Sequence, residues 1–337
     1  MSESAPPVTD VRDISRIAYG FLASKALFAA LHLDVFTRLA GSPKDAIALA
    51  AETGSAPHRL DTLLSALASV GLVVRTGDTY ANAPASARYL VRGEPGDFGD
   101  YYRHQVDRLI YPALAHLDAG LAGDVTRLAP GFDAWNSEDA NDFSRAQHAG
   151  SLGPAALLAR TVELAGRRTL LDVAGGSGAF SITLCRRHPA LTATVIDFPR
   201  MIDVAQRFVR EAGVDGRVTF VPGNALTTEW PAPSDVVLMS YLLSAVAGRD
   251  IDALLDRAWQ ALCPGGLLLV HDFMLDRDRT GPPLAAWWFL VYLAWGTENV
   301  SFTVADVVTR LERRGFADVT ATPLVHGITQ LVSAVKR

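Results

Sequence analysis

The stretch LDVAGGSG, from Leu171 to Gly178, lies where a predicted strand ends and a predicted helix begins. Glycines are expected there because the backbone must turn sharply and let a ligand approach without a Cβ in the way. A tight turn between a strand and a helix would also use glycines without any ligand. The loop is therefore a candidate ligand site that needs support from the rest of the chain.

Short β-branched or leucine-rich runs alternate with helical patterns from Thr169 onward, which predicts a parallel sheet with helices on both faces. The fold class is therefore α/β. The strands of this alternation are Leu170 to Val173, Thr192 to Ile196, Val218 to Val221, Asp235 to Leu238 and Leu267 to Val270. The C-terminal segment supplies two more strands, Ala317 to Thr322 and Thr329 to Val335, around a turn at 325–327.

Polar residues follow the second and third predicted strands. Asp197 ends the second strand, where a carboxylate can accept hydrogen bonds from both hydroxyls of a ribose. Asn224 ends the third, where an amide can meet an adenine amine. A dinucleotide dehydrogenase would share the first two features, but its glycines follow the spacing G-x-G-x-x-G rather than G-G-x-G. It would also usually begin with this strand, whereas 168 residues precede it here.

The N-terminal part of the chain predicts a winged helix. Two helical patterns, 43–53 and 55–70, precede a small hairpin formed by 72–75 and 79–81. Before them, the segment 11–33 carries apolar residues around nearly its whole circumference, which indicates burial against a partner subunit. We expect three domains: a winged-helix domain in 1–97, a helical linker that roofs the acceptor pocket in 98–166, and a catalytic domain in 167–337.

Composition narrows the function classes. The formal charge of −5 offers no positive field for nucleic acid or an anionic membrane. A winged helix can also read DNA, but the helix that would do so carries only His58 and Arg59 as basic residues. No export signal is visible, the apolar segment 282–295 is too short to span a bilayer, and two cysteines exclude a disulfide framework. We therefore expect a cytoplasmic protein without nucleic-acid or membrane partners.

The chain resembles the small-molecule O-methyltransferases, the family of the plant caffeate-type and bacterial antibiotic-tailoring enzymes. The resemblance covers nearly the whole length. Its motifs are the winged helix, the loop Asp172 to Gly178, Ile196-Asp197-Phe198-Pro199, Val221-Pro222-Gly223-Asn224, Leu262-Cys263-Pro264-Gly265-Gly266 and Leu311-Glu312-Arg313-Arg314-Gly315-Phe316.

The resemblance implies an S-adenosylmethionine-dependent methyltransferase of secondary metabolism, with S-adenosylhomocysteine as product. It implies a Rossmann-like, doubly wound mixed sheet and a homodimer formed through the winged-helix domain. The residues it implies for cofactor binding are Asp172, Gly175, Gly176, Gly178, Asp197, Phe198, Asn224, Ala225, Ser240 and Tyr241.

One departure from the family concerns its general base. The family's L-H-D-W segment is absent, and Ser244 stands where the basic histidine would be. An unassisted serine hydroxyl is a poor base near neutral pH. A serine-alanine pair here also resembles the family's branch that methylates a ring carbon of bacteriochlorophyll. We therefore favour methylation of a carbon in a phenolic ring, with an aromatic amino acid as one possible acceptor. The alternatives are O-methylation of a phenolic natural product and an enzyme that binds the cofactor without transferring methyl.

The candidate catalytic and acceptor-binding residues come from the family's pocket segments and from titratable groups near them. The catalytic candidates are His148, His104, Asp272, Ser244 and Glu298, with His271 as a further base candidate or a core histidine. The acceptor-pocket candidates are Arg103, Arg108, Tyr111, Phe143, Gln147, Trp288 and Tyr292. One or two of the aromatic rings are expected to stack on a flat substrate. No histidine spacing supports a metal site.

Overall fold

The computed structural model describes residues 6–124 and 136–337. It divides into two units, residues 6–109 and residues 110–337. The division falls inside the segment 98–166 that the sequence predicts as a linker. Part of that segment, residues 125–135, lies outside the described residues.

The first unit contains helices and a small antiparallel sheet. Its elements are α1 (Val11–His32), α2 (Val35–Arg38), β1 (Lys44–Asp45), α3 (Ala46–Thr53), α4 (Pro57–Ser69), β2 (Val73–Thr76), β3 (Thr79–Asn82) and α5 (Pro84–Tyr89), followed by a π-helix, Tyr101–Ile110. The three strands lie in the order β1-β3-β2. Phe36, Leu64 and Tyr80 are among the side chains buried in the core of this unit.

The expected order of helix, helix and hairpin is confirmed, with one correction. The helix predicted over 43–53 begins only at Ala46. Lys44 and Asp45 instead pair with β3, and the Asp45 carboxylate accepts a hydrogen bond from the Ala48 amide at 2.7 Å. The aspartate is thus an N-cap, which satisfies an amide that has no partner within the helix.

Helix α1 exposes much of its apolar surface. Ile17, Tyr19 and Leu22 are 73%, 65% and 56% exposed. By length and composition alone, this 22-residue helix could also cross a membrane. Its position in a winged-helix unit favours a protein partner as the cover for this surface.

The second unit carries the main sheet. Its elements are α6 (Tyr111–Leu114), α7 (Leu117–Ala122), α8 (Ser137–Thr161), β4 (Thr169–Val173), α9 (Ala179–Arg187), β5 (Thr192–Asp197), α10 (Pro199–Glu211), β6 (Val218–Pro222), β7 (Ser234–Ser240), α11 (Ile251–Ala261), β8 (Leu262–Asp272), α12 (Pro283–Ala294), α13 (Val304–Arg313), β9 (Phe316–Val325) and β10 (Thr329–Lys336).

The sheet has seven strands in the order β6-β5-β4-β7-β8-β10-β9. The first five are parallel, whereas β10 runs antiparallel to both β8 and β9. The expected mixed α/β sheet is thereby confirmed. Chain order reverses at β4, the point beside which doubly wound sheets bind ligands at the carboxyl ends of their strands.

Candidate functional site

Four parallel strands of the main sheet end in or beside polar groups at one edge. The glycine loop follows β4, Asp197 ends β5, Ser240 ends β7 and Asp272 ends β8. Because the carboxyl ends of parallel strands meet at the same edge, the fold brings these groups into one region. Because the first five predicted strands are parallel, most of the cofactor-binding candidates lie at the same edge of the sheet.

The glycine loop needs its glycines for two different reasons. Gly176 and Gly178 have φ values of +55° and +74°, which residues that carry a Cβ atom rarely adopt. At Gly175 space is the limit, since a Cβ would lie 2.7 Å from Asp172 Cγ. The loop therefore brings bare backbone close to the buried carboxyl group of Asp172.

Asp172 is fully buried and only half satisfied. Its Oδ2 accepts a 2.6 Å hydrogen bond from the Ser181 hydroxyl, but its Oδ1 has no partner among the described residues. Burial, with a further contribution from the Asp197 charge, raises the Asp172 pKa to about 6. A buried acceptor without a partner is costly, so this oxygen suits a ligand that donates, such as the methionyl ammonium group of S-adenosylmethionine.

Asp197 anchors the glycine loop to β5. Its Oδ2 accepts from the Gly176 amide and its Oδ1 from the Phe198 amide, both at 2.7 Å. Burial raises its pKa to about 6, against the opposing effect of these two hydrogen bonds. Each carboxylate oxygen has a second lone pair, so the pair can also accept two ribose hydroxyls. Asp172 and Asp197 together therefore fit the charged and the ribose parts of the expected cofactor.

The turn after β6 uses its polar groups locally. The Asn224 side-chain oxygen accepts from the Leu226 amide at 2.9 Å, and the Ala225 carbonyl accepts from the Trp230 indole at 2.9 Å. Gly223 has φ +151°, and a Cβ there would overlap the Thr228 hydroxyl. The turn is thus tightly fixed, and adenine contact by Asn224 and Ala225 stays a prediction.

His148, from α8, lies over the glycine loop. Its Nδ1 is 3.1 Å from the Ser177 hydroxyl, and its ring stacks on Phe208 with centroids 3.9 Å apart. Burial lowers its pKa to about 4, so the imidazole is neutral at pH 7. The acceptor-pocket candidates Phe143 and Gln147 are half-buried on the same helix. His148 is therefore positioned beside the loop, a contact that the sequence did not predict.

Ser244 and Asp272 form a buried pair. The Ser244 hydroxyl donates to Asp272 Oδ1 at 2.6 Å, and the Ser244 amide donates to Oδ2 at 3.0 Å. Both residues have no exposed surface. Burial raises the Asp272 pKa to about 6, although hydrogen bonds from Ser244, Phe273 and Leu243 oppose the shift. The serine in the histidine position is therefore assisted by a carboxylate, unlike the isolated serine considered from the sequence.

Aromatic rings lie next to this pair. Phe273 stacks on Trp288 with centroids 4.6 Å apart, and Tyr241 packs against Phe273 at 5.2 Å. Burial raises the Tyr292 pKa to about 12, while the nearby Ser244 and Trp288 side chains oppose this shift. The Trp288 Nε1 makes no hydrogen bond of normal geometry among the described residues. A flat aromatic acceptor suits such surroundings.

The remaining candidates are divided between the two units. Glu298 is 69% exposed in its side chain and pairs with Arg249 on the surface, so it does not join Ser244 and Asp272. Arg103, His104 and Arg108 belong to the first unit.

Within that first unit, Arg103 is buried and donates to the Leu31 carbonyl and to the carboxylates of Asp34 and Asp100. His104 Nε2 lies 3.8 Å from Asp100. These contacts give the Arg103 guanidinium, an acceptor-pocket candidate from the sequence, a structural use within the first unit. Arg108 is exposed, and Tyr111, in the second unit, is half-buried where it begins α6.

Three residues of the site carried no clear sequence signal. Ser181 and Ser177 are ordinary helix and loop residues whose contacts depend on the tertiary fold. Thr329 opens the last strand and contacts the buried His271. Among the described residues, no group of three or more His, Cys, Asp or Glu side chains is placed to hold a metal.

Comparisons with known proteins identify the family. Residues 15–92 match the O-methyltransferase dimerisation domain, and residues 134–317 match the O-methyltransferase domain. The tetracenomycin polyketide synthesis 8-O-methyl transferase TcmO of Streptomyces glaucescens is 34% identical over 94% of this chain and 95% of its own. The 3-hydroxy-5-methyl-1-naphthoate 3-O-methyltransferase of Streptomyces sahachiroi is 31% identical over 95% of each.

The fold is shared with a solved methyltransferase. The crystal structure of human N-acetylserotonin methyltransferase in complex with S-adenosylmethionine superposes with a TM-score of 0.84, at 24% identity, and covers 99% of both chains. Both units of the present chain are therefore covered by this one relative.

Replacing Asp197 by asparagine is expected to weaken S-adenosylhomocysteine binding by roughly tenfold or more, because one amide hydrogen must then face the N–H of Gly176 or Phe198. Isothermal titration calorimetry measures the change. Asp203→Asn, which alters an exposed carboxylate on α10, is the matched control. Equal affinity in the two variants would remove Asp197 from the cofactor site.

The geometry and the comparisons agree on the cofactor. The buried carboxyl groups beside the glycine loop fit its cationic and ribose parts, and the two family models together span most of the chain. This chain belongs to the O-methyltransferase family and is an S-adenosylmethionine-dependent methyltransferase.

Proposed function

We propose that the enzyme transfers a methyl group to a phenolic hydroxyl of a fused-ring aromatic natural product, as an O-methyltransferase of secondary metabolism. The observation that carries the proposal is the 2.6 Å contact from Ser244 to Asp272, which supplies a proton acceptor beside an aromatic wall. O-methylation needs such an acceptor because the phenol must lose its proton.

The relatives support the hydroxyl as the methylated group. The names of the two Streptomyces relatives each specify O-methylation, one in polyketide synthesis and the other on a hydroxynaphthoate. Both cover almost the whole of this chain at more than 30% identity. The stacked rings of Phe273 and Trp288 are of a size to contact a similarly flat acceptor.

The proton leaves through a directed chain. The Ser244 hydroxyl donates to Asp272, so its oxygen keeps lone pairs that can accept from the nearby Tyr292 hydroxyl when the acceptor is bound. Tyr292 is neutral at physiological pH, and its oxygen can accept the acceptor's phenolic hydrogen. One proton then moves at each link, from the acceptor to Tyr292, from Tyr292 to Ser244, and from Ser244 to Asp272.

When bound, the cofactor supplies a methyl group already activated by a positively charged sulfur. The protein's task is to align the acceptor oxygen, exclude water and remove one proton. Asp172, Asp197 and the glycine loop hold the cofactor, whereas Tyr292 touches the acceptor. The reaction does not require a charged side chain of the protein in contact with the acceptor ring.

Activity is expected to rise as pH increases through about 6, because Asp272 accepts a proton only as the carboxylate and burial raises its pKa to about 6. Ser244→Ala and Tyr292→Phe are each expected to lower kcat by about 100-fold, the usual scale of proton-transfer assistance. Steady-state kinetics across this pH range measures both effects.

Two further variants sharpen this test. Ser244→His restores the family's base and is expected to retain activity with a changed pH profile. Tyr89→Phe, at a half-exposed tyrosine of the first unit, is the control for loss of a phenol. Full activity in both Ser244→Ala and Tyr292→Phe would refute the proton chain.

Methylation of a ring carbon is the second candidate, since Ser244 replaces the family's histidine. Labelled methyl transferred to a hydroxynaphthoate is expected to appear as a methoxy carbon in the NMR spectrum of the product. The matched acceptor is the corresponding methyl ether, which blocks O-methylation but leaves the ring carbons. Transfer to that ether as a ring methyl would decide for carbon.

We also infer that two copies assemble through the first unit, in the cytoplasm. The exposed apolar face of α1 lies within the match to a dimerisation domain, and the two free cysteines suit a reducing compartment. Ile17→Glu is expected to yield a monomer by analytical ultracentrifugation, because it puts a charge on that face. Arg16→Glu changes the neighbouring exposed residue and should remain a dimer; monomeric wild-type enzyme would contradict the inference.

A further inference from the structure

Three polar side chains connect three strands of the main sheet at the edge where its parallel strands end. Ser240 ends β7, His271 lies one residue before the end of β8, and Thr329 begins β10. The Ser240 hydroxyl is 2.8 Å from His271 Nδ1, and His271 Nε2 is 2.9 Å from the Thr329 hydroxyl. His271 and Thr329 have no exposed surface. The proton chain at Ser244 does not use any of them.

The contacts fix the direction of this chain. The Val325 amide donates to the Thr329 hydroxyl oxygen at 3.2 Å. Among the described residues, the other hydrogen-bond partner of that hydroxyl is His271 Nε2. If Nε2 carried the hydrogen, the buried hydroxyl hydrogen of Thr329 would have no acceptor, which is costly. Thr329 therefore donates to Nε2, and His271 carries its hydrogen on Nδ1 and donates to Ser240.

The surroundings of His271 keep the imidazole uncharged. The ring packs against Tyr241 and Phe180, with centroids 4.5 and 5.6 Å away. Burial lowers its pKa to about 3. A neutral ring adds no positive charge to the edge of the sheet that would hold a cationic cofactor, and such a charge would repel the cofactor strongly in a buried site.

Strand register places Ser240 beside the glycine loop. Met239 pairs with Val173, so the next residue, Ser240, lies level with Ala174 at the start of that loop. Because Ser240 accepts from His271, its own hydroxyl hydrogen remains for another group. No second partner for it lies among the described residues.

We propose that His271 is a positioning residue that makes Ser240 a hydrogen-bond donor to the methionyl end of the cofactor, whose carboxylate is the fitting acceptor. The proposal rests on the cofactor and its loop, and does not depend on which acceptor is methylated. The hydrogen bond from Thr329 keeps the proton of His271 on Nδ1, and the Nδ1–H group in turn makes Ser240 an acceptor toward His271 and a donor toward the cofactor.

The first test reads the tautomer directly. In protein labelled with 15N-histidine, the His271 signals are assigned by their loss in His271→Phe. The expected pattern is a protonated Nδ1 and an unprotonated Nε2 at neutral pH. A protonated Nε2, or a charged imidazolium, would overturn the proposal whether or not the variant folds well.

The second test is calorimetry with S-adenosylmethionine. Ser240→Ala and His271→Phe are each expected to weaken binding by about tenfold, the scale of one hydrogen bond to a charged group. The double variant should lose no more than the larger single loss, because both act through one contact. Thr329→Val should lose less, and Thr329→Ser should keep wild-type affinity.

Thr320→Val is the matched control, since it removes an exposed threonine hydroxyl from the neighbouring strand. The acceptor KM should stay unchanged throughout. Additive losses, or an effect on the acceptor KM alone, would show that the chain does not act through the cofactor. Such a result would leave the proton chain of Tyr292, Ser244 and Asp272 untouched.

Discussion

The site depends on the Asp197 carboxylate, which holds the amides of Gly176 and Phe198 at 2.7 Å. The Gly176 bond joins the loop after β4 to the end of β5, and the Phe198 bond holds the carboxylate in place. Without the first bond, the Gly176 amide would lose its partner in a left-handed backbone conformation. A single carboxylate thus fixes the backbone that approaches the ligand, and still has lone pairs to bind it.

Burial of three carboxyl groups at one edge of the sheet has an electrostatic cost. Asp172, Asp197 and Asp272 each have a pKa raised to about 6 by burial. Each of these carboxyl groups binds its proton more tightly in the folded state and so favours folding at low pH. This stabilisation is lost as the pH rises from the pKa of the unfolded state to about 6. At neutral pH the edge therefore favours a cation, and a positively charged group bound near Asp172 and Asp197 would offset part of that cost.

Local chemistry explains how far the sequence could predict this site. Glycine, strand-end aspartate and apolar alternation are short-range signals, so the loop, Asp197 and all seven strands of the main sheet were predictable. The partners of Ser181 and Thr329 lie 9 and 58 residues away along the chain. Nothing in a local pattern distinguishes such residues from other serines and threonines.

Two charged residues that the sequence made candidates for the site have other partners in the structure. Arg103 and Glu298 could each have faced a substrate, but Arg103 is buried against Asp34 and Asp100, while Glu298 pairs with Arg249 on the surface. Which carboxylate an arginine meets depends on tertiary packing rather than on spacing. The helix predicted to begin at Pro43 begins three residues later, because Lys44 and Asp45 form a short strand that pairs with β3.

The presence of serine in place of the family's histidine is compatible with base catalysis, because Ser244 and Asp272 can accept the proton together. A histidine accepts a proton on its own ring, whereas Ser244 can only pass one to Asp272, 2.6 Å behind it. The carboxylate's burial raises its proton affinity toward that of a histidine. A phenol, whose acidity is far weaker, then needs its proton removed as the methyl arrives rather than before. The same pair would serve a ring carbon only after the methyl has been transferred, so the timing of proton loss separates the two reactions.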